Sequence, residues 1–471
     1  MKVLVLFLFL LAQQLGGETP NVILLMTDDQ GWGQTGYYDH PVLKTPHLDE
    51  MAAGGLRFDR FYAGAPVCSP TRASVLTGRA NDRSGVASHG KAMRLPEKTI
   101  ASALKKAGYA TGHFGKWHLN GLRGPGVPVL AEDPYGPENF GFETWMTVTN
   151  FFDRNPFMGS ASGVHQLDGS SSEAIMGEAI DFIQRQHSKK KPFFAVIWDG
   201  SPHSPFEASQ DDRATFQHLD QKSRNHYGEL VAFDRSVGRL RKTLRDLKIA
   251  QETLIWFCSD NGGLPGIEPT TTGALRGHKG SLWEGGIRVP GIVEWPAVIR
   301  PRVTSYPVST MDIFPTIAAI LGLSAHCMLS PVDGESLKPL FTQEIGPRKE
   351  PIAFHFLGKG ALIDNDYKLI SLDLSKRDFA LYHLSKDPKE STNIAPQHPQ
   401  RFENMVSQYL GWYQSIQESI DGQDYPESFR KDQVPESRFW TQDSRYQALF
   451  ERWKVYPGFQ KLYEETMRRA Q

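Results

Sequence analysis

Two pairs of oxygen-bearing side chains follow apolar, strand-like runs, and their chemistry suits a divalent cation. Asp28 and Asp29 lie just after the first run, and Asp260 and Asn261 lie just after a later one. Carboxylate and amide oxygens are hard donors of the kind that Ca²⁺ and Mg²⁺ prefer, and no Cys/His cluster indicates zinc. Either pair alone is more typical of a turn or a helix cap. Two such pairs, with the cysteine motif described next, predict a cation site.

A cysteine motif at residues 68–72, C-S-P-T-R, carries a second kind of chemistry. Pro70 suits the first turn of a helix, so Cys68 is expected at or just before its N-terminus. There the exposed N–H groups and the helix dipole favour an anion, and Arg72 follows one turn later. Cys68 is therefore a candidate nucleophile with a lowered thiol pKa. The alternative is a cysteine that only packs at the start of the helix.

Three short motifs offer cationic and imidazole groups. Lys116 and His118 lie in G-K-W-H-L, His203 lies in S-P-H-S-P, and Lys279 lies in R-G-H-K-G. In an extended chain, residues two apart face the same way, which predicts that Lys116 and His118 point together. Taken singly, such residues are more typical of a solvated surface or a packed loop. Together with Arg72 they predict a compact positive pocket that stabilises charge on a bound anion.

Short apolar runs alternate with helical patterns along most of the chain. This predicts an α/β fold in which a large mixed sheet is sandwiched between helices. The clearest strands are Val22–Met26, Phe193–Trp198 and Thr253–Cys258, with another near Tyr109–Phe114. Polar segments, rich in Gly or Pro, follow these strands, and ligands bind at the carboxyl ends of strands in open α/β sheets. The candidate residues are therefore expected to meet at one edge of the sheet.

The distribution of apolar, polar and turn-forming residues along the sequence predicts four segments. Residues 1–17 combine Lys2, an apolar run over Val3–Ala12 and small residues, which is the order of a secretory signal peptide. That run is too short to cross a bilayer, which needs ~20 residues in a helix. Residues 18–335 form the predicted catalytic domain, and short turn-separated strands predict a smaller C-terminal α+β subdomain with an antiparallel sheet over 336–422. The polar and aromatic residues 423–471 are expected to pack back onto the body.

Composition limits the class of protein and its expected location. Hydrophobic residues make up 39% of the 471, which supplies a core and argues against disorder. Lys and Arg number 52 against 53 Asp and Glu, so there is no basic excess for nucleic acid. The predicted signal peptide and the lack of Asn-x-Ser/Thr sequons favour a periplasmic or secreted, bacterial protein without a membrane span. The three cysteines are an odd number for an exported protein, which indicates that at least one sulfur is not in a disulfide.

These motifs occur together in one known family. C-x-P-x-R followed by T-G-R, about forty residues after the Asp28-Asp29 pair, resembles the signature of the type I sulfatases. These enzymes belong to the alkaline phosphatase superfamily and include arylsulfatases and N-acetylgalactosamine-6-sulfatases. The G-K-W-H-L string is similar to the family's second signature, and the resemblance extends from about Asn21 to about Pro388. It implies an alkaline-phosphatase-like fold and hydrolysis of a sulfate ester to an alcohol and sulfate.

The resemblance implies a modified nucleophile and a metal. In the family, a separate formylglycine-generating enzyme oxidises the signature cysteine, matched here by Cys68, and the hydrated aldehyde attacks sulfur. Such a nucleophile releases sulfate by breaking its own C–O bond, so no second displacement at sulfur is needed. The family's Ca²⁺ ligands match Asp28, Asp29, Asp260 and Asn261, and an oxygen of the modified Cys68 completes the shell.

The resemblance also implies how sulfate is handled. Lys116 contacts the formylglycine and the sulfate, and His118 acts as the base on the second hydroxyl. His203 binds sulfate and protonates the leaving oxygen, and Lys279 is the remaining sulfate-binding lysine. An exported enzyme meets polysaccharides first, so the expected substrate is a sulfated sugar or polysaccharide.

Several alternatives stay open at this point. Some family members add a polar contact from the segment after the K-x-H motif, for which Thr147, Thr149 and Asn150 are candidates. One rival function is a phosphonate monoester hydrolase or phosphodiesterase of the same superfamily, and another is a non-catalytic sulfated-carbohydrate-binding relative. A third is a cysteine hydrolase that uses unmodified Cys68 with His118.

Overall fold

The computed structural model describes residues 19–426, 429–431 and 434–470. The predicted signal peptide, residues 1–17, lies outside the described residues. The main body contains one sheet of ten strands, and a separate sheet of four antiparallel strands follows it in the chain. Helices cover both faces of the large sheet. The predicted fold class, a large mixed sheet sandwiched between helices with a smaller C-terminal antiparallel sheet, is therefore confirmed.

The described strands are, in chain order, β1 (Asn21–Thr27), β2 (Leu56–Phe58), β3 (Phe61–Tyr62), β4 (Ala110–Lys116), β5 (Leu122–Arg123), β6 (Thr144–Val148), β7 (Phe157–Ser160), β8 (Gly163–Gln166), β9 (Phe193–Trp198), β10 (Thr253–Ser259), β11 (Arg288–Val289), β12 (Gly291–Glu294), β13 (Arg302–Thr304), β14 (Val308–Ser309), β15 (Ile352–Phe356), β16 (Lys359–Asp364), β17 (Tyr367–Ser371), β18 (Ala380–His383) and β19 (Arg438–Phe439). The large sheet has the spatial order β13-β2-β12-β10-β1-β9-β4-β6-β7-β8. Its five central strands, from β10 to β6, run parallel.

The central strand β1 shows why these runs are apolar throughout. Val22, Leu24 and Met26 pack into the core on one face of the sheet, while Ile23 and Leu25 pack into the core on the other. A parallel strand with helices on both faces is buried on both sides, so its sequence does not alternate between apolar and polar residues. The polar residues begin only where the strand ends.

The described α-helices are α1 (Pro46–Gly54), α2 (Cys68–Thr77), α3 (Ile100–Lys106), α4 (Ser171–Ser188), α5 (Gln210–Arg213), α6 (Gln221–Asp246), α7 (Glu284–Ile287), α8 (Ile313–Ile320), α9 (Pro399–Ile420), α10 (Ser444–Gln447), α11 (Phe450–Trp453) and α12 (Pro457–Ala470). One face of the large sheet packs against α2, α3 and α8, and the other packs against α1, α4 and α6. Within the described ranges, no helix combines the length and the apolarity that crossing a membrane requires.

The C-terminal sheet is a meander in which each strand from β15 to β18 pairs with the next. Helix α9 covers this sheet, with Met405 and Tyr409 buried against Leu362, Leu369 and Leu381. The turn-separated apolar runs predict the meander; the predicted α+β class implies a helix here but did not place it at Pro399–Ile420.

Residues 434–470 reach back to the main body near the end of β4. Strand β19 pairs in parallel with β5, so that Phe439 lies opposite Arg123. Trp440, Trp453 and Phe459 share a buried apolar cluster with Leu122. The C-terminal extension therefore contacts the segment that follows the Lys116–His118 motif.

A buried ion pair connects the main body to the segment before the C-terminal sheet. The two guanidinium nitrogens of Arg348 lie 2.7 and 2.8 Å from the two carboxylate oxygens of Asp312, and both side chains are almost fully buried. Replacing Arg348 by alanine leaves a buried carboxylate without a counter-charge, which is expected to lower the free energy of unfolding by about 3–5 kcal/mol. Urea unfolding measures this loss.

The exposed pair of Lys242 and Asp246 provides the control for this prediction. Their side chains are 69% and 62% exposed, and such pairs contribute at most ~1 kcal/mol. Lys242→Ala should therefore change the free energy of unfolding far less than Arg348→Ala, and equal losses would contradict the prediction.

Candidate active site

Neighbouring strands of the large sheet bring the predicted residues to one edge. In the spatial order β10, β1, β9 and β4, the carboxyl ends of the strands lead into Asp260, Asp28, the loop of His203, and His118. Parallel strands end at the same edge of a sheet, so residues far apart in sequence become neighbours. A larger cleft of about 740 Å³ lies at the other edge, beside Pro20 and Glu252, and the described residues that line it include none of the predicted site residues.

The predicted metal ligands form a buried cluster of oxygens. Asp28, Asp29, Asp260 and Asn261 are each at most 1% exposed. The backbone N–H of Asp29 donates to Asp260 Oδ1 (3.1 Å), and Asn261 Nδ2 donates to Asp29 Oδ1 (2.8 Å). Asp29 has a φ of +74°, in the left-handed region, which turns the chain directly after Asp28. The two strand-end pairs are thus held against each other.

Burial and charge act in opposite directions on these carboxyl groups. Burial, and then the negative charge of Asp28, raises the pKa of Asp260 to about 7. Burial would also raise the pKa of Asp28, but Lys116 and the other nearby cationic groups hold it well below its ordinary value. Asp28 is therefore the more firmly ionised of the two.

Cys68 is the first residue of α2 and is 3% exposed. Its Sγ lies within a group of atoms, each less than 4.8 Å from the others, that includes carboxylate oxygens of Asp28 and Asp29 and a ring nitrogen of His203. Burial raises the pKa of the Cys68 thiol to about 12, against a smaller opposing effect of Lys116. The lowered pKa predicted for an unmodified thiol is therefore wrong, and a hydrolase that uses the thiolate of Cys68 is disfavoured.

Arg72 joins helix α2 to the carboxylates. Its Nη2 lies 2.8 Å from Asp260 Oδ2 and 3.6 Å from Asp28 Oδ2, and its Nη1 donates to the carbonyl oxygen of Lys116 (3.0 Å). The guanidinium also lies over the ring of Trp198, 5.1 Å from its centroid. Both terminal nitrogens of the guanidinium are thus used by the protein, so Arg72 positions the carboxylates.

The two predicted lysines each bind a different aspartate. Lys116 Nζ lies 2.6 Å from Asp28 Oδ2, and Lys279 Nζ lies 2.6 Å from Asp29 Oδ1. Lys116 is fully buried, whereas the side chain of Lys279 is 19% exposed and lines the cavity described below. An ammonium has three N–H donors, so each lysine retains donors beyond those used by its aspartate.

His118 reaches the site by a backbone path that simple alternation does not predict. Strand β4 ends at Lys116, and His118 has a φ of +58°. Nδ1 of His118 is buried and lacks a hydrogen-bond partner among the described residues. Burial, and then the charge of Lys116, lowers the pKa of His118 well below its ordinary value. His118 is therefore neutral at physiological pH and has a nitrogen available to accept a proton.

His203 is fixed by its own loop and by an aromatic ring. Its Nδ1 lies 2.5 Å from the carbonyl oxygen of Ser204, which assigns the N–H to that nitrogen, and its Nε2 lies 3.7 Å from Asp29 Oδ2. The ring stacks on Phe151 at a centroid distance of 4.7 Å. Burial, and then the charge of Lys279, lowers the pKa of His203 to about 4.

A cavity of about 340 Å³ opens above these groups. The described residues that line it are Cys68, His89, His118, Arg123, Gly124, Asn150, Phe151, His203, Lys279 and Phe439. His89, Arg123 and Phe439 were not predicted from the sequence. No local motif marks them, since they come from three separate segments that meet only in the fold.

The three candidates for an extra polar contact differ in position. Thr147 Oγ1 bonds to Nδ1 of His113 (2.9 Å), and Thr149 Oγ1 accepts a backbone N–H (3.1 Å), so both hydroxyls serve the protein. Asn150 lines the cavity and donates through Nδ2 to the carbonyl oxygen of Gly124 (2.7 Å). Its Oδ1 is buried and has no partner among the described residues. Of the three, only Asn150 offers the cavity an unused polar atom.

The oxygen cluster fits the cation that the sequence implies. Asp28 Oδ1 and Asn261 Oδ1 are buried and accept no hydrogen bond from the described residues. Leaving such atoms without a partner is costly, and a cation satisfies them without needing further donors. The donors are oxygens, which suits Ca²⁺ better than a thiophilic metal.

The ten-stranded mixed sheet, with helices on both faces and a smaller antiparallel sheet after it, is an alkaline-phosphatase-like fold. A family model described as Sulfatase matches residues 20–323, and one described as N-sulphoglucosamine sulphohydrolase, C-terminal, matches residues 278–411. The chain belongs to the sulfatase family, whose members are sulfuric ester hydrolases.

Individual relatives agree with this family. The N-acetylgalactosamine-6-sulfatase of Sus scrofa is 34% identical over 375 residues, which cover 72% of this chain and 69% of the relative. The arylsulfatase A of Homo sapiens is 33% identical over 374 residues, covering 70% and 69% of the two chains. Across the matched N-acetylgalactosamine-6-sulfatases, the aligned part spans 63 to 69% of the relative's length. The crystal structure of Ps i-CgsB in complex with k-i-k-neocarrahexaose is similar with a TM-score of 0.77 and 25% identity, covering 94% of this chain and 99% of that one.

Proposed function

We propose that this protein hydrolyses a sulfate ester on a saccharide, with Cys68 converted to formylglycine and with a bound Ca²⁺ ion. The observation that carries the proposal is the buried cluster in which Cys68 Sγ lies within 4.8 Å of carboxylate oxygens of Asp28 and Asp29 and of a nitrogen of His203. Cys68 and His203 line the cavity, and the carboxylates of Asp28 and Asp29 lie directly beside them, buried beneath its wall. Conversion of Cys68 requires a formylglycine-generating enzyme as a partner during maturation.

Asp28, Asp29, Asp260 and Asn261, with an oxygen of the modified Cys68, would hold the cation. When bound, Ca²⁺ supplies a Lewis acid that draws charge from a sulfate oxygen and lowers the pKa of the attacking hydroxyl. The three carboxylates are already balanced by Arg72 and two lysines. A divalent ion therefore gives the site a net positive charge, which matches the negative charge of a sulfate ester.

The side chains around the cluster bind the sulfate and transfer protons. Lys116 and Lys279 direct their free N–H groups at the sulfate oxygens, while their aspartates fix their position. His118 accepts the proton of the second hydroxyl of the modified Cys68, because its ring is neutral and has an unpaired nitrogen; the C–O bond to sulfate then breaks and the aldehyde returns. His203 would protonate the leaving oxygen through Nε2, because its Nδ1–H is already used by the carbonyl oxygen of Ser204. Asn150 contacts the alcohol portion through Oδ1.

The lowered pKa of His118 predicts how activity falls at acidic pH. A histidine accepts a proton only when neutral, and the neutral form predominates above its pKa. Because the pKa of His118 is lowered, kcat/KM for 4-nitrophenyl sulfate should begin to fall only well below pH 6.5. A midpoint at or above pH 6.5 would contradict this. His218→Gln, which changes an exposed histidine, should leave the limb in place.

A saccharide substrate is supported by the relatives and by the shape of the site. The matched N-acetylgalactosamine-6-sulfatases carry a sugar substrate in their names, and the Ps i-CgsB structure contains a neocarrahexaose. The cavity of about 340 Å³ accommodates a sugar ring and its sulfate. An exported enzyme would encounter such substrates outside the cell.

The test uses protein coexpressed with a formylglycine-generating enzyme. Release of inorganic sulfate is measured from sulfated mono- and disaccharides and from 4-nitrophenyl sulfate, and release of nitrophenol is measured from the matched phosphate monoester and diester and a phosphonate monoester. We expect sulfate release from at least one saccharide. Activity restricted to the phosphorus esters would refute the proposal in favour of a phosphoesterase, and binding of sulfated saccharides without turnover would indicate a non-catalytic relative.

A further inference from the structure

One wall of the cavity comes from the C-terminal extension, which the proposed mechanism does not use. Pairing of β19 with β5 sets Phe439 opposite Arg123. Just before β19, Ser437 Oγ donates to the carbonyl oxygen of Gly90 (2.7 Å), and the N–H of Gly90 donates to Ser69 Oγ (2.9 Å). The extension is thus connected through one loop to the first turn of α2, beside the nucleophile.

The extension also fixes the side chain of Arg123. The guanidinium carbon lies 5.3 Å from the centroid of the Phe439 ring, a cation–π contact. On the other side, a Cβ added at Gly90 would lie 2.8 Å from Cγ of Arg123, so the absence of a side chain there leaves room for the arginine stem. Arg123 is therefore held between a ring and a glycine instead of sampling many rotamers.

The Arg123 guanidinium has unused donors. Arg123 is exposed, lines the cavity, and forms no ion pair with any described carboxylate. On the extension, Glu436 is the carboxylate that most closely precedes Phe439 in the sequence, and it pairs with Lys91 (3.0 Å). The described residues that line the cavity include no carboxylate. Arg123 therefore adds to the cavity mouth a positive charge that no carboxylate balances, whereas Lys279 is paired with Asp29.

We infer that Arg123, held by Phe439, binds a second anionic group of the substrate in addition to the sulfate that is cleaved. The planar guanidinium offers paired N–H donors that match a sulfate or a carboxylate bidentately. The enzyme should therefore prefer saccharides that carry another sulfate or a uronate. This inference rests on the proposed function and adds a specificity-determining residue to it.

The test compares charge-graded substrates between matched variants. The probes are N-acetylgalactosamine 6-sulfate, its 4,6-disulfate, and a disaccharide that joins the 6-sulfate to a uronate. Each is assayed for kcat/KM, or for its inhibition constant against 4-nitrophenyl sulfate where it is not cleaved. Arg123→Gln removes the charge, Phe439→Leu removes the ring, and Arg185→Gln removes an exposed arginine from the end of α4 at the other edge of the sheet.

We expect wild type to favour at least one dianionic probe over the monosulfate, and Arg123→Gln to reduce that preference about tenfold or more. Phe439→Leu should reduce it partly, and Arg185→Gln should not change it. The disulfate and the uronate arms tell which anion the arginine recognises. An equal effect of Arg123→Gln on all probes, no effect, or no preference in wild type would overturn the inference while leaving the hydrolase in place. Failure of wild type to cleave any sulfate ester would instead refute the proposed function.

Discussion

Replacing Cys68 by alanine is expected to lower turnover by at least about 10³-fold while leaving the fold intact. In the proposed mechanism the nucleophile is formed from this side chain, and the remaining groups can bind and polarise the ester but cannot attack it. The substitution removes one buried sulfur at the start of α2, so the loss of stability should stay near ~1 kcal/mol. Turnover of 4-nitrophenyl sulfate and thermal unfolding, measured on the same preparation, separate the two effects.

Cys258 supplies a matched control for this substitution. It is also 3% exposed, but it lies in β10 and packs into the core of the large sheet. Cys258→Ala should therefore cost stability without a comparable loss of turnover. Mass analysis of the peptide that carries Cys68 completes the test, because fully active enzyme with an unmodified thiol at this position would overturn the mechanism.

A second large loss of activity is expected from substitution of Asp28. Asp28→Asn keeps the shape of the side chain but removes an anionic oxygen donor, so Ca²⁺ affinity should fall strongly and activity should drop by more than about 100-fold. In wild type, a chelator should abolish activity and added Ca²⁺ should restore it. At a hundredfold excess over its dissociation constant, Ca²⁺ should stabilise the folded state by about 2.7 kcal/mol.

The control for Asp28→Asn is a buried carboxylate outside the site. Asp234 is 3% exposed and accepts the backbone N–H groups of His47 and Leu48 at the start of α1. Asp234→Asn should lose stability but keep the full stabilising response to Ca²⁺ in thermal unfolding. A response that is the same in wild type and Asp28→Asn would contradict the assignment of the metal site.

Much of the site could be predicted because its residues follow apolar strands. The sequence marks where β1, β9 and β10 end, and parallel strands carry their ends to one edge, so the meeting of Asp28 with Asp260 follows from topology alone. The type of each side chain then indicates its chemistry. The same logic predicted the mixed sheet and the C-terminal meander from the spacing of apolar runs.

The rest depends on contacts that no local pattern encodes. The thiol pKa of Cys68 rises because burial outweighs the opposing charges of Lys116 and Lys279, and the depth of burial is a property of the whole fold. Alternation assumes that the extended strand continues to His118, but β4 ends at Lys116 and His118 lies beyond it. Phe439 and Arg123 meet through a two-residue strand pair, which is too short to leave a periodic signal.

The attachment of β19 to β5 separates substrate preference from catalysis, because one wall of the cavity and the proposed catalytic groups lie on different parts of the fold. The proposed metal ligands follow long central strands and Cys68 begins a buried helix, whereas Phe439, on another wall of the cavity, lies in a two-residue strand pairing at the periphery. Residues 434–439 are half-buried or exposed, while the neighbouring Trp440 is fully buried and anchors the extension. A library confined to residues 434–439, with Trp440 kept, should therefore yield altered substrate preferences at a nearly unchanged melting temperature. The same arrangement would let natural lineages change their substrates without altering the catalytic groups.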